Sequence, residues 1–135
     1  MKLIETINNS TQTSVAALSR INLGNIDKSI NQCAFDYNGI DTITLKQNGY
    51  YLVQVKVDVT STEAAQTMSV ALVGNNITSN VEAQVTEETS GTSASLTFHK
   101  IVKVANNSPL ALNVINSGAT ATTFSNVIVS VIKIA

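Results

Sequence analysis

A single cysteine, Cys33, rules out an internal disulfide. It is expected to serve as a small buried hydrophobe rather than a reactive thiol. A single histidine, His99, leaves no histidine pair for a metal or a catalytic relay. No HExxH, CxxC, GxSxG or glycine-rich phosphate loop occurs. No run of eighteen apolar residues is present, so no membrane span is expected. The opening stretch, MKLIETINNSTQTS, lacks the apolar core of a signal peptide, which predicts assembly in the cytoplasm. Charged residues make up 13% of the chain, against roughly 25% in an ordinary globular protein. The eight Lys and Arg are scattered and the net charge is -1, so a nucleic-acid footprint is missing.

What is present is apolar and small-polar. Hydrophobic residues reach 44%, enough to exclude disorder from lack of core material, and 135 residues suit one domain. Ser, Thr and Asn replace the missing charge, as expected of turns and uncharged surfaces. Val, Ile and Thr abound while Glu, Lys and Leu are sparse, which favours strands. Asn-X-Ser/Thr sequons at Asn8, Asn9, Asn76 and Asn106 are expected from this composition and carry no weight.

The clearest element is Gly49 to Val59, GYYLVQVKVDV. Tyr51, Val53, Val55, Val57 and Val59 point one way; Tyr50, Leu52, Gln54, Lys56 and Asp58 point the other. A side-chain period of two marks a strand with unequal faces. Around it the pattern predicts strands over 32–38, 40–46, 67–73, 77–87, 94–104, 110–115 and 124–134. Cys33, Phe35 and Tyr37 share a face of the first of these, and turns at Asn38-Gly39 and Asn48-Gly49 separate the early ones. Residues 13–24 read as a strand through Val15, Ala17, Ile21 and Leu23, ended by Gly24. Residues 25–31 read as a polar loop plugged by Ile26 and Ile30. Residues 1–12 read as an edge strand or a flexible arm, and 13–135 as the domain itself. Eight to ten short strands with no convincing helix predict an all-β antiparallel sandwich of jelly-roll type.

The last strand adds a point about assembly. Val127, Val129 and Val131 line one side and Ile128, Ile132 and Ile134 the other. The outer face of an antiparallel sandwich should be wet. A strand apolar on both sides is covered by something, most simply another subunit.

From Ser29 onward the order of features resembles the TNF-like jelly roll. That fold is shared by the globular heads of the first complement component and by many bacterial and phage surface trimers. NGIDTITLKQNGYYLVQVKV is similar to the family's strand, turn and Gly-x-Tyr segment, with Gly49, Tyr51 and Val53 in the matching places. SVALVGNN is similar to its middle strand and Asn-rich turn, and SASLTFHKIVKVANNSPLALNVINSG to its long strand, turn and return strand. The likeness covers roughly residues 29–135. It implies a homotrimer, with Tyr51, Val53, Val55 and Val57 in the core. It also places Leu52, Gln54, Lys56, Ile128, Ser130, Ile132 and Ile134 toward neighbouring subunits. With no collagen-like repeat and few aromatics, a complement-like or cytokine-like role does not follow from it.

The chemistry points away from an enzyme. His99 sits mid-strand with no acid beside it and reads as a satisfied structural histidine. Glu82, Glu87 and Glu88 read as solvated surface, and Asp36 and Asp41 are too few for a calcium loop. No cofactor, metal, nucleic acid or membrane is expected. The expected function is a structural trimer of a phage virion, a capsid decoration or head-fibre protein. It would be assembled in the host cytoplasm and held on the major capsid or another virion protein through Leu3, Ile4 and Ile7. The alternative is a receptor-binding head on a tail or surface fibre that takes a host surface glycan.

Overall fold

A computed structural model describes residues 1–75, 77 and 81–135. Asn76 of the Asn-rich turn, with its sequon, and positions 78–80 of the expected 77–87 strand lie outside the described residues. Eleven strands occur among the described residues: β1 Leu3–Asn8, β2 Gln12–Val15, β3 Asn25–Ile30, β4 Phe35–Tyr37, β5 Ile43–Leu45, β6 Gly49–Thr60, β7 Gln66–Gly74, β8 Ala83–Glu87, β9 Ser93–Val104, β10 Leu110–Asn116 and β11 Thr122–Lys133. They form two antiparallel sheets. One runs β3-β1-β11-β6-β9, with β2 also on β11; the other runs β4-β5-β10-β7-β8. The chain changes sheet between β3 and β4, after β5, after β6, and again on each step from β8 to β11. This alternation is the jelly roll.

Period two decides the inside. On β6, Tyr51, Val53, Val55, Val57 and Val59 are buried, while Gln54 and Lys56 between them are exposed. Val127, Val129 and Val131 of β11 meet them across the sheet, and Leu72, Leu112 and Val114 come from the opposite sheet. Phe35 packs edge-on against Tyr51, ring centroids 6.0 Å apart, and the Tyr51 hydroxyl donates to the Gln47 carbonyl at 2.7 Å. Phe124 is also buried, three residues before Val127. A one-residue bulge at Asn126, φ 50, resets the alternation so that both point inward. Asp58 clasps that bulge, accepting from Asn126 Nδ2 at 2.9 Å and from Ser95 Oγ at 2.6 Å.

The structure departs from the sequence expectation in the first third. Residues 3–8 are neither an arm nor an edge. They form β1, paired with β11 on one side and β3 on the other. Residues 13–24 are not one strand. After β2 the chain leaves the sheet through Leu18 at φ 63, and only an isolated bridge at Arg20 comes after it. Ile21 and Leu23 are buried as loop plugs. Residues 25–31, expected as a loop, supply edge strand β3, which adds a strand beyond the expected number. Ile26 and Ile30 are exposed there and plug nothing. Cys33 is exposed rather than buried. Asn31 turns left-handed at φ 50 and starts a 3-10 turn, Gln32–Ala34, which sends Ala34 inward in place of the cysteine.

One buried group is unsatisfied. The Thr6 hydroxyl faces the core opposite Val129 without a hydrogen-bond partner among the described residues. Thr6→Val keeps the shape and removes that cost. It is expected to raise stability by about 1 kcal/mol in a urea melt.

Candidate functional site

The site is the outer face of the β3-β1-β11-β6-β9 sheet. Cross-strand register stacks its side chains in rows. Ile30, Leu3, Ile132, Leu52 and Ile101 are successive neighbours across all five strands. The next row is Lys28, Glu5, Ser130, Gln54 and His99, and the one beyond is Asn25, Ile7, Ile128, Lys56 and Thr97. The apolar row is open to solvent at both ends, with Ile30 45% and Ile101 60% exposed. Just below it lie Tyr50, 44% exposed, and Ile134, 50% exposed, whose N–H donates to the Tyr50 carbonyl at 2.8 Å. A soluble chain rarely leaves a continuous apolar stripe on a sheet face unless something covers it.

The residues expected at a subunit contact come together here. Leu52, Gln54 and Lys56 sit directly beside Ile132, Ser130 and Ile128. Ile134 lies past the end of β11 on the same rim. Leu3 and Ile7, expected as an anchor, are fixed in this face. Ile4 is fully buried against Val131 and is unavailable to any partner. Sequence reasoning missed Ile30 and Ile101, and it took His99 for a satisfied structural residue, whereas it is exposed on this face. The alternation of Leu3, Glu5 and Ile7 was a usable signal for the β1 contribution.

Charge on the face is local and mostly paired. Glu5 accepts from Ser130 Oγ at 2.5 Å and lies 3.6 Å from Lys28. The serine hydrogen bond, aided by Lys28, holds the Glu5 carboxyl below its ordinary value against the opposing effect of burial. Asp58 is lowered likewise, chiefly by the Ser95 and Asn126 hydrogen bonds. A carboxylate whose pKa is depressed by folding stabilises the fold above its unfolded pKa. That contribution is lost as pH falls through the folded value. Stability is therefore expected to be flat above the ordinary values of 4.5 and 3.8 and to decline below them. Melting curves from pH 7 to about 3 check this, with Glu5→Gln and Asp58→Asn each expected to reduce the slope.

Elsewhere the titratable groups are dispersed. Glu82 pairs with Lys100 at 2.7 Å, Asp36 with Lys46 at 3.2 Å and Asp41 with Arg20 at 3.7 Å. Asp36 and Asp41 thus engage different cations. No group of three or more His, Cys, Asp or Glu positioned for a metal occurs among the described residues. At the end of the sandwich where β6 finishes, buried Gln66 donates to the Ala121 carbonyl at 2.7 Å and to Thr120 and Thr122. Ser61 donates to the Thr89 carbonyl at 2.8 Å. Thr62 Oγ1 also donates to the Ala121 carbonyl at 2.8 Å, so the 61–65 loop is tied to both the 88–92 and the 117–121 loops.

No protein-family model matches the chain, and no curated protein matches it in sequence. Solved structures match its shape. The globular domain of zebrafish complement 1qA protein aligns with TM-score 0.74 at 9% identity, over 100% of this chain and 98% of that one. Murine APRIL at pH 5.0 aligns with TM-score 0.72 at 10% identity, over 98% of each chain. Eiger TNF from S. frugiperda aligns with TM-score 0.70 at 10% identity, over 98% of this chain and 92% of that one. Identities this low speak to fold alone, and the fold is the jelly roll of the TNF and complement globular-head type.

Proposed function

We propose that this protein is a non-enzymatic structural subunit that self-associates as a homotrimer through the outer face of the β3-β1-β11-β6-β9 sheet. The observation that carries this is the apolar row from Ile30 to Ile101, five residues wide and unbroken across five strands. Threefold closure is what the resemblance at Gly49, Tyr51 and Val53 implies. The non-enzymatic part is supported by the acids outside this face, which are spread over separate ion pairs with different cations. Light scattering on the purified chain tests the assembly. The expected mass is three times the 14.3 kDa of one chain, and a monomer across a wide concentration range would sink the idea.

The proposed setting is a phage virion, as a capsid decoration or head-fibre protein seated on the major capsid or a neighbouring virion protein. Support comes from the charge-poor, Ser/Thr/Asn-rich composition and the phage trimers among the resembled family. Because β1 is held inside a sheet, attachment falls to the surface of the folded trimer and not to a free arm. Mass spectrometry of gradient-purified particles from producing cells checks the setting; absence from the particles counts against it. The second reading, a head that takes a host glycan, is favoured by the tied loop cluster around Gln66 and Ser61. Glycan-array binding lost on substitutions in 87–93 or 117–123 would select it.

A further inference from the structure

The outer sheet face is not flat. Over β11, β6 and β9 it dips into a depression of about 360 Å³ walled by Gln54, Lys56, Thr97, His99 and Ser130. Gln54 lies at the centre, flanked by His99 on one strand and Ser130 on the other, with Lys56 one row away between Thr97 and Ile128. Its walls offer an ammonium, a carboxamide, an imidazole and hydroxyls, and no carboxylate lines it. The two nearest acids along these strands are already engaged. Glu5 is held by Ser130 and Lys28, and Asp58 by Ser95 and Asn126. Lys28 on this face has a carboxylate within 4 Å, whereas Lys56 has none among the described residues.

We infer that this depression is a binding site for a small tetrahedral oxyanion of the phosphate class. Lys56 supplies the charge, and Gln54, His99 and Thr97 donate to the anion oxygens. Charge-assisted hydrogen bonds of this kind are the stronger ones. Asp58, two residues along β6, feels the Lys56 charge but lies beyond ion-pair distance of it, so the ammonium in this partly apolar concavity still gains from a closer anion. The binding geometry belongs to the single chain; its coupling to assembly rests on the trimer reading. If this face closes around a threefold axis, three Lys56 ammonium groups lose water together without an acid in their row. A buried cation without a close partner is costly; Asp58 reaches Lys56 only at longer range, and a bound anion offsets what remains.

The test uses the full chain and inorganic phosphate, titrated against chloride at matched ionic strength. Backbone amide shifts by NMR, thermal melting and light-scattering mass are read on the same samples. The expected result is saturable shifts at Gln54, Lys56, Thr97 and His99, with a melting temperature that climbs with the logarithm of phosphate concentration. Lys56→Met is expected to weaken binding about tenfold or more, the loss of one charge-assisted contact. His99→Asn, a smaller change, is expected to weaken it less. Shifts that do not saturate, that are unchanged in Lys56→Met, or that centre on Lys2, Lys103 and Lys133 overturn the site. A monomer that still binds phosphate overturns the assembly and leaves the site standing. A trimer indifferent to phosphate does the reverse.

Discussion

Ile132→Asp is expected to yield a folded monomer in place of the proposed trimer. Ile132 sits in the middle of the apolar row, with Leu3 on one side and Leu52 on the other. Its side chain points away from the core, and its chain neighbour Val131 is fully buried in it. The substitution therefore leaves the sandwich interior untouched. An isolated chain keeps a carboxylate there in water at little cost. In an assembly that covers the row, each protomer would bury an unpaired charge, costing several kcal/mol. Three such charges close together add like-charge repulsion. Gln84→Asp, exposed on β8 in the other sheet, makes the same change of charge outside the face and is expected to stay trimeric. Light scattering reads the mass, and near-native melting of the Ile132→Asp monomer shows that folding was spared. A stable trimer in Ile132→Asp would move the interface elsewhere.

Strand faces were within reach of the sequence, and the rows built from them were not. The β6 face was legible because period two is local: once Tyr51 and the valines are inside, Leu52, Gln54 and Lys56 must be outside. The two apolar sides of β11 were legible for the same reason. A row, by contrast, is made by register between distant segments. Leu3 meets Ile132 from the opposite end of the chain, and nothing near Leu3 in sequence says so. The β3 strand was hidden by its own irregularity. A register shift against β1 between Glu5 and Thr6 breaks the alternation, and Ile26 and Ile30 fall on different faces. Cys33 was misread because one left-handed residue, Asn31, changes the phase of the residues after it. The oxyanion depression depends on two register relations at once, placing His99 and Ser130 on either side of Gln54.

Gly24→Ala is expected to damage the fold itself, by about 3 kcal/mol or more, or roughly a 10 °C fall in melting temperature. Gly24 ends the loop that carries buried Ile21 and Leu23 and feeds directly into β3. Its φ is +79, the left-handed region that an L side chain resists. A Cβ there would stand 2.0 Å from the Ile7 carbonyl oxygen and 2.7 Å from Asn8 Cβ. Both are fixed points of β1, which is held between two strands and cannot yield cheaply. The residue is gripped from other directions too. Its N–H donates to Asn22 Oδ1 at 2.8 Å, and its carbonyl accepts from the Tyr37 hydroxyl at 2.5 Å. Burial, with a smaller push from Asp41, raises that hydroxyl to about 12, so it stays a donor at any working pH. Gly39 separates the two causes. Its φ is +81 but nothing lies within 4 Å of a Cβ built there, so Gly39→Ala carries the backbone strain alone, about 1 kcal/mol. Chemical denaturation of the two variants side by side gives the cost of close approach as their difference. If Gly24→Ala melts no lower than Gly39→Ala, then β3 is not held tightly against β1, and the Ile30 end of the apolar row goes with it.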